Sequence, residues 1–338
     1  MGVKFDCGAL SAHYRGLRVA VVGDFCLDRY LEIDATRSEV SIETGLPVRN
    51  VVHVRAQPGA AGTVLNNLSA LGVGRILPVG FCGDDGEGFE LRRALGSTLG
   101  VDLGAGTFLT TPERRTFTYC KPLVVSADDA PVELERLDSK NWTQTPDAVS
   151  FAMVGALESI ADEVDAVVVM DQVDLEGTGV VTAPVLARLG QMAAAGKVVV
   201  ADSRRGLRGY PPMCFKMNAR EFGVFAGRAD LGEAEVEALV QREARALGYP
   251  LVVTLAEQGM VGSTPDGASV RVPCLPVRGP IDVVGAGDSV TANLAAALGA
   301  GLSMEDALWM ANAAASCVVH QLGTTGVARL EDIARLLG

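Results

Sequence analysis

The sequence predicts an α/β fold: a mostly parallel central sheet with helices on both faces and a small β lid. Three observations point to it. Short apolar, β-branched runs recur along the chain, segments of helical period separate them, and five of the runs end directly in a polar residue, Asp24, Asp171, Asp202, Asn218 or Thr254. Buried parallel strands read as continuous apolar runs, and their alternation with helices is the βαβ pattern. With 338 residues the chain can bury a large core, and a hydrophobic share of 49% with only 5% aromatic suits short strands and small-residue helices.

Residues 17–23 (LRVAVVG) read as the first strand, with Asp24 at its carboxyl end. Residues 29–57 alternate without a helical period, most clearly at 48–54, and predict an extended segment set apart from the core. Ala61, Val64, Leu65, Leu68 and Leu71 follow Pro58-Gly59 at helical spacing until Gly72 stops them. Residues 75–81 predict a second strand, followed by the acidic turn 83–86 and a helix carrying Phe89, Leu95 and Leu99. Residues 107–138 again read as extended, most strongly at 116–125, and are expected to join the lid. Strands at 166–170, 197–201, 214–217 and 251–253 then alternate with helices around 180–195 and 232–247. Pro265-Asp266-Gly267 turns a hairpin between 260–263 and 269–274. No repeat, low-complexity linker or charge block marks a second unit, so residues 1–338 are expected to form one domain, with a lid from about 31–57 and 107–138.

Composition excludes several functions. A formal net charge of -12 repels a nucleic-acid backbone or an anionic membrane surface, so neither is an expected partner. Seven widely spaced cysteines, an odd number without a C-x-x-C, fit reduced thiols in the cytoplasm. His13, His53 and His320 are isolated, which argues against a zinc site. No apolar run approaches the ~20 residues of a membrane span, and residues 1–18 lack a signal-peptide core, so a soluble, unexported protein is expected.

The segment that carries chemistry is GAGD at 285–288, which opens a helix with an apolar face of Val290, Leu294 and Leu298 and an end near 299–301. Small residues let the backbone approach an anion, and free amides with the helix dipole stabilise charge on a transferring phosphoryl group. A carboxylate in that turn has a use if it takes a proton from an attacking hydroxyl. An N-terminal helix aspartate held by the dipole accounts for the same residues, and spacing alone leaves the two readings level. In open α/β sheets ligands bind beyond the carboxyl ends of the strands, so the five strand-end polar residues are expected around one crevice. Singly, each would serve as a helix cap.

DVVGAGDSVTANLAAAL, beginning at Asp282, resembles the second signature of the PfkB, or ribokinase-like, carbohydrate kinases. Residues 58–88 (PGAAGTVLNNLSALGVGRILPVGFCGDDGEG) resemble their first glycine-rich region, in the family's order. VVGDFCLDRY at 21–30, TLAEQGM at 254–260 and ANAAASCVVHQLGTTGV at 311–327 are similar to the kinase half of bacterial D-glycero-β-D-manno-heptose-7-phosphate kinases. The resemblance implies a ribokinase-like fold and an ATP- and Mg2+-dependent transfer of the γ-phosphoryl group to a sugar or sugar phosphate, a heptose 7-phosphate or related substrate. It makes Asp288 the base, with Gly285, Ala286 and Gly287 as the anion hole. It assigns Asp24 and Asp28 to sugar hydroxyls and puts Gly59 and Asn67 on the sugar side of the cleft. Asn218 and Glu221, in KMNAREF, match the N-x-x-E that organises Mg2+ and phosphates through water. Thr254 and Gly259 fall where the nucleotide's phosphates and ribose lie, and Asn312 where adenine packs. Asp282 and the backbone near Val284 match a site at which some relatives hold a monovalent cation such as K+.

The chain departs from the family pattern at Ala60, in place of the second glycine of a pair, at Thr63, where heptose kinases carry Asn, and at Asn293, a Gly/Ala position. These departures leave the sugar open, so a kinase for ribose, fructose or a nucleoside stands as the alternative, and a catalytically silent sugar-binding regulator is the reading from another class. A nicotinamide-dependent enzyme would need a G-x-G-x-x-G after the first strand, which residues 23–26 do not supply. Arg114, Arg115, Lys121, Arg204, Arg205 and Arg208 are candidates to grip a phosphate already on the sugar, with the pair after Asp202 foremost. An exposed lid edge also predicts a homodimer.

Overall fold

A computed structural model describes residues 7–126, 131–228, 232 and 235–338. In chain order the elements are α1 (Cys7–Gly16), β1 (Arg18–Gly23), β2 (Phe25–Val40), β3 (Pro47–Ala60), α2 (Ala61–Ala70), β4 (Arg75–Gly83), α3 (Gly86–Gly96), β5 (Phe108–Thr111), β6 (Phe117–Val125), β7 (Val132–Glu133), β8 (Leu137–Ser139) and α4 (Asp147–Ile160). There follow β9 (Ala166–Asp171), α5 (Ala183–Ala194), β10 (Val198–Ser203), β11 (Cys214–Asn218), α6 (Ala219–Ala226), α7 (Val236–Leu247), β12 (Leu251–Thr254), β13 (Met260–Ser263), β14 (Ser269–Val272), α8 (Ala286–Gly299), α9 (Met304–Val318) and α10 (Leu330–Leu337).

Nine strands form the central sheet in the order β14-β13-β12-β11-β10-β9-β1-β4-β5. Pairing is parallel from β5 to β12, whereas β12–β13 and β13–β14 pair antiparallel, so β13 alone runs against the other strands. Because successive side chains of a strand point to opposite faces, the apolar runs feed two cores. Val19 and Val21 pack with Tyr14, Leu65, Leu68, Leu294 and Leu308 on the face covered by α1, α2, α8, α9 and α10. Ala20 and Val22 pack with Val149, Leu157, Leu189, Phe222 and Val240 on the face covered by α4, α5, α6 and α7. The α/β expectation, a mostly parallel sheet with helices on both faces, is met.

A second sheet, β3-β2-β6-β7 with β8 beside β6, stands apart from the first. Its long β2–β3 hairpin is antiparallel, while β2 and β6 run parallel. Residues 127–130 of the expected lid segment, and 233–234 at the start of the helix expected over 232–247, lie outside the described residues. Three local expectations differ from the structure. Residues 108–111 do not join the second sheet: they pair with β4 at the edge of the central one. Gly59, which the resemblance puts with Asn67 on the glycine-rich helix, lies in β3 instead, two residues before α2 begins. In α3 the buried residues are Gly88, Leu91 and Leu95, whereas Phe89 is 68% exposed and Leu99, beyond the helix, 80% exposed. Among the described residues no helix is long and apolar enough to cross a membrane.

Candidate active site

The carboxyl ends of β1, β9, β10 and β11 and the start of α8 converge on one crevice beneath the second sheet. Asp288 is the third residue of α8, whose N-cap, Gly285, has φ 80°. That left-handed value suits glycine and turns the chain into the helix. The Ala286 amide already donates to Val283 O at 3.2 Å, so the expected anion hole of Gly285, Ala286 and Gly287 is narrower than the motif implies. The amides of Gly287 and Asp288, in the first turn, have no intrahelical acceptor by geometry and point out of the helix end. A Cβ on Gly287 would lie 3.3 Å from Lys216 Nζ, so the glycine admits a buried cation to this turn.

Lys216, on β11, is 5% exposed and donates to Asp202 Oδ2 at 2.7 Å. Thr291, one turn into α8, donates to the same oxygen at 2.9 Å. Burial works against the lysine's charge, but Asp202, Asp288 and Glu221 hold its pKa above the ordinary value. Desolvation is the main cause that pushes the Asp288 carboxyl up to about 7; Asp202 and Asp28 add to it, and Lys216 and Arg204 oppose it. A carboxylate poised near neutrality is suited to accept a proton at physiological pH. Sequence reading missed Lys216 and Thr291, since a lysine inside the apolar run CFKMN gives no sign of its partner on the neighbouring strand.

Asp28 reaches the crevice from β2 and is 7% exposed. Gly59, in register with Cys26 across the hairpin, has no room for a side chain, because a Cβ would lie 2.4 Å from Asp28 Oδ2 and 2.8 Å from Cys26 Sγ. Burial raises the Asp28 pKa, and Lys121 and Arg136 lower it. Asp28 is close enough to Asp288 to help raise its pKa.

Asp24 behaves differently from the expectation that it holds sugar hydroxyls. Its Oδ2 accepts the amides of Gln172 (2.8 Å) and Val173 (3.2 Å), and its Oδ1 accepts that of Val180 (2.8 Å). Burial and the neighbouring Asp171 raise its pKa. It anchors the 172–180 loop. Asn67 also departs from expectation: it is wholly buried, its Nδ2 donates to Thr63 O at 3.0 Å, and it presents no surface to the crevice. Thr63 and Asn293 are buried as well.

On the nucleotide side, Asn218 and Glu221 form a reciprocal capping box at the start of α6, with Glu221 N to Asn218 Oδ1 at 2.9 Å and Asn218 N to Glu221 Oε2 at 2.8 Å. Burial, first, raises the Glu221 pKa. The box engages one oxygen and leaves Glu221 Oε1 and Asn218 Nδ2 for other partners. Thr254 ends β12 beside Asn218. Gly259 has φ 83°, and a Cβ there would meet Val272 O at 2.0 Å, so the fold itself demands glycine. Asn312 on α9 donates to Pro273 O at 2.8 Å. Asp282 accepts the amides of Val284 (3.1 Å) and Gly323 (3.2 Å) and so fixes the approach to the GAGD turn.

Most of the arginines offered for a substrate phosphate have other work. Arg114 donates to the carbonyls of Thr143, Gln144 and Thr178. Arg205 pairs with buried Asp171 at 2.6 Å, and Arg208 holds the carbonyls of Val224 and Phe225. Arg204 lies 3.7 Å from Asp174, and Lys121 donates to the Tyr30 hydroxyl at 3.4 Å.

The sequence matches the pfkB family carbohydrate kinase profile over residues 157–330. It is 32% identical over 327 residues to the bifunctional protein HldE of Gluconacetobacter diazotrophicus, covering 96% of this chain and 64% of that protein. It is 33% identical over 318 residues to HldE of Azorhizobium caulinodans, covering 93% and 63%. The chain thus spans a little under two thirds of these relatives. The fold is similar to that of Arabidopsis thaliana ribokinase complexed with ribose and ATP, with a TM-score of 0.70 at 19% identity over 95% of this chain and 98% of that one. It is also similar to Escherichia coli phosphofructokinase-2 in complex with fructose-6-phosphate, with a TM-score of 0.65 at 16% identity over 95% and 98%.

Proposed function

The chain belongs to the pfkB family of carbohydrate kinases, and we propose that it transfers the γ-phosphoryl group of ATP to a hydroxyl of a sugar phosphate, a heptose 7-phosphate or a close relative. The observation that carries this reading is Asp288: a carboxyl raised to about 7 at a helix N-terminus, within electrostatic reach of Asp28 and of the Lys216–Asp202 pair. The HldE relatives support the heptose class.

In this reading the sugar lies between Asp28 and Asp288, and Asp28 orients it by accepting a hydroxyl. Asp288 accepts the proton of the attacking hydroxyl as its oxygen bonds to phosphorus and the bond to the departing nucleotide oxygen breaks. The amides of Gly287 and Asp288 and the dipole of α8 stabilise the charge on the transferring group. Lys216 adds a fixed positive charge beside that turn. In-line positioning and charge neutralisation are what phosphoryl transfer demands. The free Glu221 oxygen and Asn218 fit a Mg2+ held through water, the coordination this ion prefers, and the ion would neutralise phosphate charge there. Asp282, anchored to two backbone segments, is the candidate for K+. The second sheet would close over the sugar and exclude water, and the exposed Val51, Val52 and Val54 on β3 suit burial against a second copy.

The test is ATP consumption by the purified protein with free and phosphorylated hexoses, heptoses and nucleosides. Turnover is expected on a sugar phosphate and its loss in Asp288→Asn. An Asp288→Asn protein with near-normal kcat would remove the assigned base.

A further inference from the structure

Gln57 stands in register with Asp28 across the β2–β3 hairpin. Residues directly opposite in an antiparallel pair carry their side chains on one face, so Gln57 leaves the sheet on the same side as Asp28. Its amide then reaches a distant part of the chain. Gln57 Nε2 donates to Thr325 Oγ1 at 2.7 Å, across 268 residues of sequence. Among the described residues this is the one side-chain hydrogen bond that joins the second sheet to residues 274–338.

Thr325 belongs to the segment that supports the GAGD turn. A Cβ on Gly285, the N-cap of α8, would lie 3.5 Å from both the Cα and the Cβ of Thr325, at ordinary contact distance. The segment around Thr325 is held at several points. Asp282 N donates to Val319 O at 2.8 Å, and Asp282 Oδ2 accepts from Gly323 N at 3.2 Å. Gln321 clamps its far end, with Nε2 donating to Val327 O at 2.8 Å and Oε1 accepting from Val327 N at 3.2 Å. A pull on Thr325 therefore reaches Asp282 and Gly285 rather than being absorbed by a loose loop.

We propose that Gln57 and Thr325 are positioning residues that latch the second sheet to the GAGD turn, so that nucleotide on the α8 side and sugar on the β2–β3 side bind cooperatively through this bond. The inference rests on the kinase reading, which puts the transferring phosphoryl group at the amides of Gly287 and Asp288. A nucleotide that fixes this turn also fixes Thr325, and a fixed Thr325 offers Gln57 a partner at a smaller loss of freedom. The coupling is about two- to tenfold, the range of one neutral hydrogen bond. Coupling is reciprocal, so nucleotide alone holds the second sheet closed by the same factor.

The test is amide exchange, read by mass spectrometry over residues 25–29 and 55–60 with and without Mg2+ and AMP-PNP, beside calorimetric Kd values for AMP-PNP. It compares the wild type with Gln57→Leu, Thr325→Val, the double variant and Thr325→Ser, which keeps the hydroxyl. AMP-PNP is expected to slow exchange in the wild type and in Thr325→Ser. Gln57→Leu and Thr325→Val are each expected to lose about two- to tenfold of that protection. The double variant should lose no more than either alone, because both substitutions remove the same bond. Exchange over 166–171 in the central sheet, expected to match the wild type throughout, separates loss of the latch from loss of the fold. Protection that survives in Gln57→Leu and Thr325→Val, or losses that add in the double variant, would overturn the latch. AMP-PNP bound without slowing exchange in the second sheet would also overturn it and leave the kinase reading standing. A wild type that binds no AMP-PNP would remove the kinase reading, and the latch with it.

Discussion

Lys216 Nζ and Asp202 Oδ2 meet at 2.7 Å in a buried ion pair next to the first turn of α8. Removing one member of such a pair leaves the other charged, buried and unpaired, at a cost of about 3 to 5 kcal/mol. Lys216→Met should therefore lower the denaturant midpoint substantially. It should also remove the cation that opposes the rise of the Asp288 pKa, so the acidic limb of the kcat/KM profile should move to higher pH. A variant with wild-type stability and an unmoved profile would show that Lys216 is electrically remote from Asp288.

The raised pKa of Asp288 makes a paired prediction for activity and stability. As the base it must be ionised, so kcat/KM should rise with pH through about 7. Stability should run the other way. The folded carboxyl binds its proton more tightly than the unfolded one, so the native state is favoured at low pH and loses that advantage as pH climbs from about 4 to about 7. Asp288→Asn, which removes the buried charge, should lower kcat by about 100- to 10,000-fold. It should raise Tm at pH 8 by more than at pH 5. A destabilised variant at pH 8 would mean that the carboxylate is stabilised in the fold rather than strained by it.

Ala60 carries the cost of a departure visible in the sequence. It stands at the N-cap of α2 with φ 52° and ψ -116°, a conformation that a Cβ disfavours. Ala60→Gly should relieve that strain and gain on the order of 1 kcal/mol, the difference between strain of about 1 to 3 kcal/mol and the entropy a glycine adds to the unfolded chain. Chemical denaturation of the two proteins measures it directly, and a loss of stability would show that the turn holds no strain.

How much of this was legible in the sequence depends on whether a residue's environment is local. Val19 to Val22 and Val167 to Val169 read as buried strands because each needs only an apolar neighbour on both faces, and any such run finds one. The segment 108–111 gives no sign of which sheet it joins, because an edge strand with one buried face has the same alternation in either. α4 does carry a signal in the sequence: Val149, Met153, Leu157 and Ile160 recur at helical spacing after Pro146. Asp288 was legible through its motif. Lys216, Asp24 and Arg205 were not, because what each does is set by a partner far along the chain: Asp202, the 172–180 amides and Asp171.

Asp24 and Asp28 look alike in the sequence, four residues apart in one motif, and the structure separates them. Asp24 accepts three backbone amides, so Asp24→Asn replaces an acceptor by an amide nitrogen that faces donors. A buried donor left without its acceptor costs about 1 to 3 kcal/mol, and the 172–180 loop should loosen. The expected signature is a lower Tm with faster amide exchange at Gln172, Val173 and Val180. Asp28 has no such ties, and its burial already disfavours its charge, so Asp28→Asn should leave Tm level or raised. Its effect should fall on the sugar, with a raised KM for the sugar and little change in KM for ATP. If Asp28→Asn instead destabilised the protein while Asp24→Asn altered only the sugar KM, the division of labour between the two carboxylates would be reversed, and the sugar would have to lie nearer β9 than β2.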